Sequence, residues 1–303
     1  MSSINALSVI VPSRNRSGSL KTLLDSIEAA VCPDGVSIEV IVVDSGSTDD
    51  TRAMLERESA KERIYPLSVL REELPGKSRA VNLGLQNARG SLFMVLDDDV
   101  SIDADCFTEH VRLHRCSSFA AVQGRVLPGR DPHGATADLA RIREYNIPFT
   151  DHGAEVTEIR GLTGTNISWR REVKDKVGLF DVRLGPGAAG FSEDTDYSIR
   201  IRKAGFKIGY TPNAIVYHEL DPARYGRAYN RKIEYRKGLS RSVYRQDSIC
   251  FTVLPRLLLN CLRYGVHRVL GQRRQAYRVE GRVMKSCGYL VGRLRRLSAD
   301  ESR

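Results

Sequence analysis

The sequence predicts an α/β fold in which a mainly parallel sheet is flanked by helices. Two β-branched runs, at residues 7–11 and 36–43, are each followed by an amphipathic helical pattern rather than by a hairpin turn. A chain of 303 residues that is 41% hydrophobic and 28% charged has the composition of a globular protein. These observations exclude a disordered chain, a collagen and a disulfide-stapled miniprotein.

Three strand–helix units follow one another at the start of the chain. Strands are predicted at 7–11, 36–43 and 91–96. The first helix has Ser17 as its predicted cap, the second a capping box formed by Ser47 and Asp50, and the third covers 79–88. Strands that alternate with helices of about 10–15 residues form parallel sheets with covered faces.

Two aspartates directly follow predicted strands. Asp44 comes after the second strand and Asp97 after the third. Because ligands of such sheets bind beyond the carboxyl ends of the strands, we expect both carboxylates at the binding edge.

Further along the chain the pattern is less regular. We predict a helix at 106–114, a strand at 120–126, a strand at 161–169 and a helix capped by Ser192 that ends at Gly205. The polar segment 129–156 receives no predicted element.

Positive charge is concentrated in the C-terminal part of the chain. The whole chain has a formal net charge of +10, yet residues 221–303 have 20 Lys and Arg against 6 Asp and Glu, and residues 1–220 have 27 against 31. This step predicts a domain boundary after residue 220, with an acidic-leaning body at 1–220 and a basic α-helical extension at 221–303.

The extension is predicted to contain an amphipathic helix that starts at Pro255. Its polar stripe consists of Arg256, Asn260, Arg263 and His267, and its apolar face of Leu254, Leu257, Leu258, Leu262 and Val269. Arg-rich amphipathic helices attach to anionic membranes through burial and charge together. Peripheral attachment to the inner face of such a membrane and packing against the protein itself are open alternatives.

The six cysteines lie far apart and form no Cys-x-x-Cys pair, which excludes a zinc cluster and a redox motif. Scattered cysteines favour a reducing compartment, and we predict a cytoplasmic protein. The N-terminus lacks a basic region followed by an apolar stretch, and nowhere are about 18 uncharged apolar residues consecutive. Neither a signal peptide nor a membrane-spanning helix is therefore predicted.

Three consecutive aspartates, Asp97, Asp98 and Asp99, follow the strand predicted at 91–96. In an extended chain, Asp97 and Asp99 point to one side and Asp98 to the other. Two converging carboxylates suit Mg²⁺ or Mn²⁺, whose remaining positions are filled by water and phosphate oxygens. The alternative is a solvated acidic turn, but neighbouring acids at the end of a buried strand repel one another unless a cation is present. We therefore predict a divalent-cation site.

Glu193, Asp194 and Asp196 open the helix that follows a glycine-rich loop. The helix dipole stabilises Asp194 as an anion, which suits a residue that must accept a proton near neutral pH. Ordinary helix capping explains the same pattern, since acidic residues are favoured in first turns. His218, which follows a strand-like run, is likewise compatible with a structural role or a ligand role.

Five motifs occur in order along residues 7–220. They are Ser8-Val-Ile-Val-Pro-Ser-Arg-Asn15, Val42-Val-Asp44-Ser-Gly-Ser-Thr-Asp49, Gly76-Lys-Ser-Arg-Ala-Val-Asn82-Leu-Gly84, Leu96-Asp-Asp-Asp99, and Glu193-Asp194 with Arg200. Together they resemble the glycosyltransferase family 2 pattern on a GT-A fold. The resemblance implies an inverting, metal-dependent glycosyltransferase of polysaccharide or glycoconjugate biosynthesis, and it leaves the basic extension uncovered.

The resemblance also implies roles for individual residues. Nucleotide-sugar contacts are implied for Pro12, Arg14, Asp44, Lys77, Arg79, Asp97 and Asp98. Metal ligands are implied to be Asp97, Asp99 and His218. Asp194 would be the general base with Glu193 as its partner, and the acceptor would be bordered by Gly164, Thr165, Asn166 and Trp169.

The substrates are implied only by class. The donor is a nucleoside-diphosphate sugar, with a uridine diphosphate sugar favoured by the habit of the family, and the cofactor is Mn²⁺ or Mg²⁺. The acceptor is a glycan, a lipid-linked sugar, a protein or a small molecule.

Two other functions stay open at this point. A sugar-nucleotide nucleotidyltransferase would share the sheet and the acidic site, but it normally has a glycine-rich loop after its first strand, and Pro12-Ser-Arg-Asn-Arg16 is not glycine-rich. A non-catalytic nucleotide or nucleic-acid binding protein would account for the basic extension. Such a protein gains little from carboxylates at a strand end, so we do not expect nucleic acid as a partner.

Overall fold

The computed structural model describes residues 4–129, 149–221, 224 and 226–300, with side chains to residue 296. Most of the segment 129–156 lies outside these residues. Within the described residues, one compact unit is formed by 4–129, 149–182 and 193–220, and a second by 183–192, 221, 224 and 226–300.

The first unit is an α/β structure. The described strands are β1 (Ala6–Ser13), β2 (Ser37–Asp44), β3 (Leu67–Arg71), β4 (Leu92–Val95), β5 (Val100–Ile102), β6 (Ala121–Pro128), β7 (Thr157–Ile159), β8 (Ile167–Arg170) and β9 (Ile208–His218). The described helices are α1 (Ser17–Glu28), α2 (Thr51–Ser59), α3 (Lys77–Asn87), α4 (Cys106–Cys116), α5 (Arg171–Val177) and α6 (Glu193–Lys203).

These strands form one mixed, mainly parallel sheet, which confirms the predicted fold class. The strand order is β3-β2-β1-β4-β8-β6-β9-β5. β7 stands outside this order and pairs in antiparallel with the first residues of β9, Ile208 to Tyr210. β1 pairs in parallel with both β2 and β4, whereas β8 runs antiparallel to β4 and β6. The register places Ser13 opposite Asp44, so the carboxyl ends of β1 and β2 meet at one edge.

Alternation along β1 builds a core on each face of the sheet. Leu7, Val9 and Val11 belong to the core covered by α1, and Ile10 belongs to the core covered by α3. A Cβ on Gly84 of α3 would lie only 2.5 Å from the Ile10 side chain. Glycine at this position therefore lets α3 approach the sheet closely.

The predicted helix caps are wrong in detail. Ser17 is the first residue of α1, and Arg16 occupies the cap position without a side-chain hydrogen bond. The predicted capping box does not form, because the Ser47 hydroxyl accepts a hydrogen bond from the backbone N–H of Asn15 at 2.9 Å and Asp50 makes no capping hydrogen bond. Ser47 belongs instead to the turn between β2 and α2.

The strand predicted at 161–169 is shorter than expected. Gly164 and Asn166 have φ angles of 56° and 55°, so regular extended pairing begins only at Ile167. Ser192 has a φ of 75°, which differs from the β-region conformation of a typical N-cap residue. The helix after it ends at Lys203, and Gly205 adopts a positive φ as predicted.

The second unit is helical in its described part. It contains α7 (Arg227–Tyr244), a π-helical turn (Ile249–Val253), α8 (Leu254–Val269) and α9 (Arg273–Asp300). Small residues let α7 and α9 pack very closely: a Cβ on Gly238 would lie 2.1 Å from the carbonyl oxygen of Lys285, and one on Gly288 would lie 2.0 Å from that of Tyr235.

We expect Gly288→Ala to destabilise the second unit by roughly 1–3 kcal/mol, because the added methyl group forces the two backbones apart. The matched control is Gly265→Ala in α8, where a Cβ meets nothing within 4 Å and the higher helix propensity of alanine is expected to stabilise by about 0.5–1 kcal/mol. Thermal and urea unfolding followed by circular dichroism would measure both changes. Equal effects of the two variants would contradict the close packing of α7 on α9.

α8 differs from its neighbours because it contains no buried residue among those described. The segment Ile249–Val269 is long and apolar enough to cross a membrane by length and composition. The sequence prediction did not single out this segment, because it required consecutive uncharged residues. An 18-residue window of the segment has a mean hydropathy of 1.3 although it contains Arg256 and Arg263.

Candidate functional site

The carboxylate of Asp98 points away from those of Asp97 and Asp99, as predicted, although Asp98 and Asp99 lie in a turn after β4 and not in an extended strand. Ligand atoms of Asp97, Asp99 and His218 all lie within 4.8 Å of one another. The Asp98 carboxylate points elsewhere and accepts hydrogen bonds from the Ser13 hydroxyl at 2.7 Å and from the Arg14 backbone N–H at 3.3 Å. Burial raises the pKa of Asp98 to about 6, against the stabilising hydrogen bond from Ser13, and the charges of Asp99 and Asp97 raise it further.

His218 reaches this cluster because β9 ends beside β5. The register of these antiparallel strands places His218 opposite Val100, the residue after Asp99. His218 Nδ1 donates to the Glu219 carbonyl oxygen at 2.7 Å, so a neutral imidazole carries its lone pair on Nε2. Nε2 lies 3.3 Å from Asp99 Oδ1, and both groups are buried.

The donor set fits a divalent cation. An imidazole nitrogen and a carboxylate oxygen that lie 3.3 Å apart can both be ligands of one cation. Two carboxylates with one imidazole suit Mn²⁺, and the carboxylates also suit Mg²⁺. Arg16, which sequence reasoning missed, contributes a guanidinium nitrogen 3.7 Å from the other Asp99 oxygen.

Lys77 lies between two carboxylates of the site, those of Asp97 and Glu193. Its ammonium group binds the Asp97 carboxylate, donates to the Gly164 carbonyl oxygen at 3.1 Å and lies 3.9 Å from Glu193. Burial lowers the pKa of Lys77, but the charges of Asp97 and Glu193 outweigh burial and raise it overall. The lysine is therefore a fixed positive charge between two carboxylates.

Asp194 is held by backbone N–H groups on both carboxylate oxygens. Its Oδ2 accepts from Gly164 at 2.8 Å and its Oδ1 accepts from Thr195 at 2.6 Å. These two bonds fix the direction of the carboxylate. The Gly164 peptide thus contacts Asp194 through its N–H and Lys77 through its carbonyl oxygen.

Glu193 differs from Asp194 although the two are neighbours in the chain. Burial raises the pKa of Glu193 to about 7, the charge of Asp194 raises it further, and Lys77 opposes both effects. Carboxyl groups whose pKa is raised by burial beside other charges are typical of acid–base sites.

The residues predicted to bind the nucleoside lie where the carboxyl ends of β1 and β2 meet. Pro12 and Asp44 are buried, and Arg14 is exposed. Asp44 Oδ1 accepts a hydrogen bond from the backbone N–H of Ser47 at 3.0 Å, which orients its carboxylate. Arg79 is half-buried in the first turn of α3.

Two of the four residues predicted to border the acceptor are buried in the core. Trp169 is 0% exposed and packs against Phe93, Phe180 and Tyr197. Asn166 is also 0% exposed, and its amide donates to the Ala214 carbonyl oxygen at 2.8 Å. Both are structural residues because β8 runs through the middle of the sheet.

The other two residues on that side do reach the site. Gly164 contacts Asp194 and Lys77 as described, and the Thr165 hydroxyl accepts from the Asp97 backbone N–H at 2.9 Å. Gln123, another residue that sequence reasoning missed, fixes this loop: its amide donates to the Thr165 carbonyl at 3.0 Å and accepts from the Thr163 N–H at 2.7 Å. Gln123 could have been recognised as a site residue from the sequence, because it places an amide side chain inside the mostly apolar strand predicted at 120–126.

Two buried histidines of α4 support the loop from behind the sheet. His110 lies 2.9 Å from Asn166 Oδ1 and 2.7 Å from the Ser168 hydroxyl, and His114 lies 2.8 Å from the same hydroxyl. Burial lowers the pKa of His110 to about 4, against a hydrogen bond with Asn166 that raises it, and burial likewise lowers the pKa of His114. Both imidazoles are neutral in the folded protein at neutral pH.

This pair predicts acid sensitivity of the fold. Because folding depresses the pKa of His110 from 6.5 to about 4, its contribution to stability is complete above pH 6.5 and is lost as the pH falls toward 4. In His110→Gln, the slope of unfolding free energy against pH in this window should be smaller by about 1.4 kcal/mol per pH unit. Urea unfolding between pH 7.5 and 4 would measure it, with exposed His152→Gln as the control. Identical slopes for His110→Gln and wild type would contradict the prediction.

Comparisons with known proteins agree with this geometry. The family model described as Glycosyl transferase family 2 matches residues 8–178. The succinoglycan biosynthesis protein ExoM of Rhizobium meliloti is 28% identical over 225 residues, which are 72% of this chain and 69% of that protein. An undecaprenyl-phosphate 4-deoxy-4-formamido-L-arabinose transferase of Klebsiella pneumoniae is 31% identical over 97 residues, which are 32% of this chain and 30% of that protein.

A solved structure is similar over nearly the whole chain. It is the mannosyltransferase PcManGT from Pyrobaculum calidifontis in complex with GDP-Man and Mn²⁺, with a TM-score of 0.63, 18% sequence identity, and coverage of 95% of this chain and 86% of that chain. The likeness confirms the GT-A fold. Since the family model matches more than half of the chain and its match contains the aspartates after β4, this protein belongs to glycosyl transferase family 2.

Proposed function

We propose that this glycosyltransferase transfers a sugar with inversion from a nucleoside-diphosphate donor to an acceptor hydroxyl in polysaccharide or glycoconjugate biosynthesis. The observation that carries the proposal is the Gly164 peptide, which connects two functions. Its N–H holds Asp194, and its carbonyl oxygen binds Lys77, which in turn binds Asp97. A proton acceptor and a cation-binding group are thus fixed to one short loop.

Asp194 takes the proton of the attacking hydroxyl. The hydrogen bonds from Gly164 and Thr195 fix the position of its carboxylate. Each carboxylate oxygen has further lone pairs, so the acceptor hydroxyl can still be bound. A general base in such a position contributes about 10²–10⁴-fold to the rate. Glu193 is its partner and holds Lys77 in place from the other side.

Asp97, Asp99 and His218 are the proposed ligands of a divalent cation, Mn²⁺ or Mg²⁺. When bound, such a cation stabilises the negative charge that grows on the leaving diphosphate. Lys77 neutralises Asp97, and Arg16 lies beside Asp99. These fixed positive charges limit the repulsion between the carboxylates and an incoming diphosphate.

The donor is proposed to bind along the edge formed by β1 and β2. Pro12, Arg14 and Asp44 would contact the nucleoside, for which uridine is favoured, and Arg79 would lie toward the diphosphate together with Lys77. Asp98 links this pocket to the cation site through Ser13. The acceptor is proposed to approach Gly164 and Thr165.

We also propose that the catalytic domain comprises residues 1–220 and the basic extension residues 221–303.

Inversion follows from direct attack. The hydroxyl deprotonated by Asp194 attacks the anomeric carbon from the face opposite the diphosphate, so one bond forms as the other breaks. The proton goes to Asp194, and the diphosphate leaves with the bonding electrons. No covalent sugar–enzyme intermediate is formed.

Nucleotide release over a panel of uridine, guanosine and thymidine diphosphate sugars with Mn²⁺ or Mg²⁺ tests the donor assignment. We expect slow metal-dependent hydrolysis of one donor even without an acceptor, lost in Asp99→Asn and kept in exposed Asp105→Asn. Release of nucleotide that is independent of metal and unchanged in Asp99→Asn would overturn the proposed cation site. No binding of any donor would overturn the transferase proposal.

We further propose that the protein is cytoplasmic and attaches peripherally to the inner face of an anionic membrane through α8. Support comes from the exposed apolar side chains of Leu258, Leu262 and Val269, which are 69%, 66% and 87% accessible. An apolar helix face within a basic segment is typical of helices that lie at the surface of an anionic membrane. Leu262→Asp should reduce flotation with anionic vesicles, whereas Leu74→Asp, at a 55% exposed position of the first unit, should not. Equal flotation of both variants and wild type would contradict attachment through α8.

A further inference from the structure

A polar cavity of about 230 Å³ lies within the second unit, between α7, the π-helical turn, α8 and α9. Val253 and Tyr289, which are buried, line its inner part, and Arg256 and Arg282, which are exposed, line its outer part. None of its residues belongs to the site described above. The volume is many times the roughly 10–15 Å³ that one water needs, so the cavity has room for a small ionic group.

The lining of the cavity has an excess of positive charge. Arg241, Arg256, Arg282 and Lys285 line it together with a single carboxylate, that of Asp247. Arg241 neutralises this carboxylate with two hydrogen bonds, of 2.9 and 2.6 Å, to Asp247 Oδ2. The cavity therefore retains three positive charges after this pair is formed.

The side chains of these three cations make no direct ion pair within the described part of the protein. No hydrogen bond or ion pair is formed there by the side chains of Arg256, Arg282 and Lys285, and the nearby charge that favours the ammonium form of Lys285 is that of Glu234. Burial lowers the pKa of the Lys285 ammonium, Glu234 opposes this, and the charges of Lys237 and Arg241 lower it further. Three cations in one cavity repel one another, and an anion bound there would remove that repulsion.

We propose that this cavity binds the phosphate group of an anionic phospholipid. The assignment rests on the peripheral membrane contact proposed above and adds a specific headgroup site to it. Guanidinium and ammonium groups are the side chains that bind phosphate oxygens best, and two arginines can each bind two oxygens. Asn260 also lines the cavity, and its side-chain amide is a neutral hydrogen-bond donor.

The exposed apolar face of α8 favours a lipid headgroup over a soluble phosphate as the ligand of this cavity. Leu258, Leu259 and Leu262 are 69%, 46% and 66% exposed. Arg256 lies about 60° around the helix from Leu259, because each residue turns an α-helix by about 100°. When the apolar face enters the membrane interface, Arg256 and the cavity beside it lie at the level of the headgroups.

The neighbouring helix favours an interfacial over a spanning position for α8. α8 packs along α9, which carries Arg278, Arg282 and Lys285. A spanning α8 would bring these charges into the hydrocarbon, where each costs about 2.5–3.5 kcal/mol on insertion scales. At the interface the same charges face the anionic headgroups.

The test compares two double variants of the full chain that remove equal charge. Arg256→Gln with Arg282→Gln removes cavity charges, and Arg263→Gln with Arg278→Gln removes charges from the same two helices outside the cavity lining. Partition coefficients are measured by flotation with phosphatidylcholine vesicles containing 30% phosphatidic acid. We expect the cavity pair to bind at least tenfold more weakly than the control pair, with circular dichroism and nucleotide release unchanged in both.

Several outcomes would overturn the headgroup site. Equal loss in the two pairs would mean diffuse electrostatic attraction, and equal binding of wild type to neutral and anionic vesicles would mean that the apolar face alone makes the contact. Failure of wild type to float on any vesicle would refute the membrane proposal itself. Titration with inorganic phosphate that reveals binding without flotation would assign the cavity to a soluble phosphate, and a dimer detected by light scattering and disrupted by Leu262→Asp would assign the apolar face to a second copy.

Discussion

Asp194→Asn should lower kcat by about 10²–10⁴-fold while the KM for the donor stays nearly unchanged, because the amide cannot accept the proton of the attacking hydroxyl. This corresponds to about 3–5 kcal/mol of transition-state stabilisation. The amide oxygen can still accept the Gly164 N–H, so the loop that carries the site should keep its position. Steady-state kinetics with saturating metal would measure the change.

Asp196→Asn provides the matched control for this experiment. It removes the same charge from the same first turn of α6, but the Asp196 carboxylate accepts a hydrogen bond from Arg200 at 2.8 Å instead of facing Gly164. We expect its kcat to stay within about threefold of wild type, because the Asp196 carboxylate pairs with Arg200 and does not contact the site. If both variants lost activity equally, the effect would come from the helix terminus and not from a general base.

His218→Ala should raise the dissociation constant for Mn²⁺ beyond the 10–100-fold that loss of an outer-shell partner typically causes, at about neutral pH. The lone pair on Nε2 faces Asp99 Oδ1 across 3.3 Å, so the alanine variant removes one of three converging ligands. Electron paramagnetic resonance of free Mn²⁺ measures binding directly and does not depend on turnover. Nucleotide release at saturating Mn²⁺ should then recover in part.

The control for this variant is His152→Ala, which removes an exposed imidazole from the same unit. Its Mn²⁺ affinity should equal that of wild type. Because His218 is buried, the unfolding midpoint of His218→Ala is compared first, and a folded variant with unchanged Mn²⁺ affinity would refute the ligand role.

Local sequence patterns predicted the parts of the protein that depend on neighbouring residues. The strands β1, β2 and β4 could be predicted because β-branched runs end in residues that stop them. The opposite directions of Asp98 and of the pair Asp97 and Asp99 were predicted, although Asp98 and Asp99 form a turn and do not continue the strand. The match to the family then decided between glycosyl transfer and the two alternatives that the motifs had left open.

Contacts between distant parts of the chain were harder to predict. The motif placed Lys77 toward the diphosphate but did not show that its ammonium group lies between Asp97 and Glu193, which are 20 and 116 positions away in the sequence. Trp169 was expected beside the acceptor, yet it is buried because β8 inserts between β4 and β6. Neither position follows from a local pattern, since strand order determines which side chains face one another.

The sequence by itself determined the α/β class, the position of the acidic motif at a strand end and the basic character of the extension. Only the tertiary structure decided that one peptide group, that of Gly164, links Asp194 to Lys77, and that α8 leaves an apolar face beside three unpaired cations. The physical reason is range. Periodicity and turn formation depend on residues close together in the sequence, and net charge depends on composition alone. The electrostatics of a site depend on side chains that folding brings together from different strands and helices.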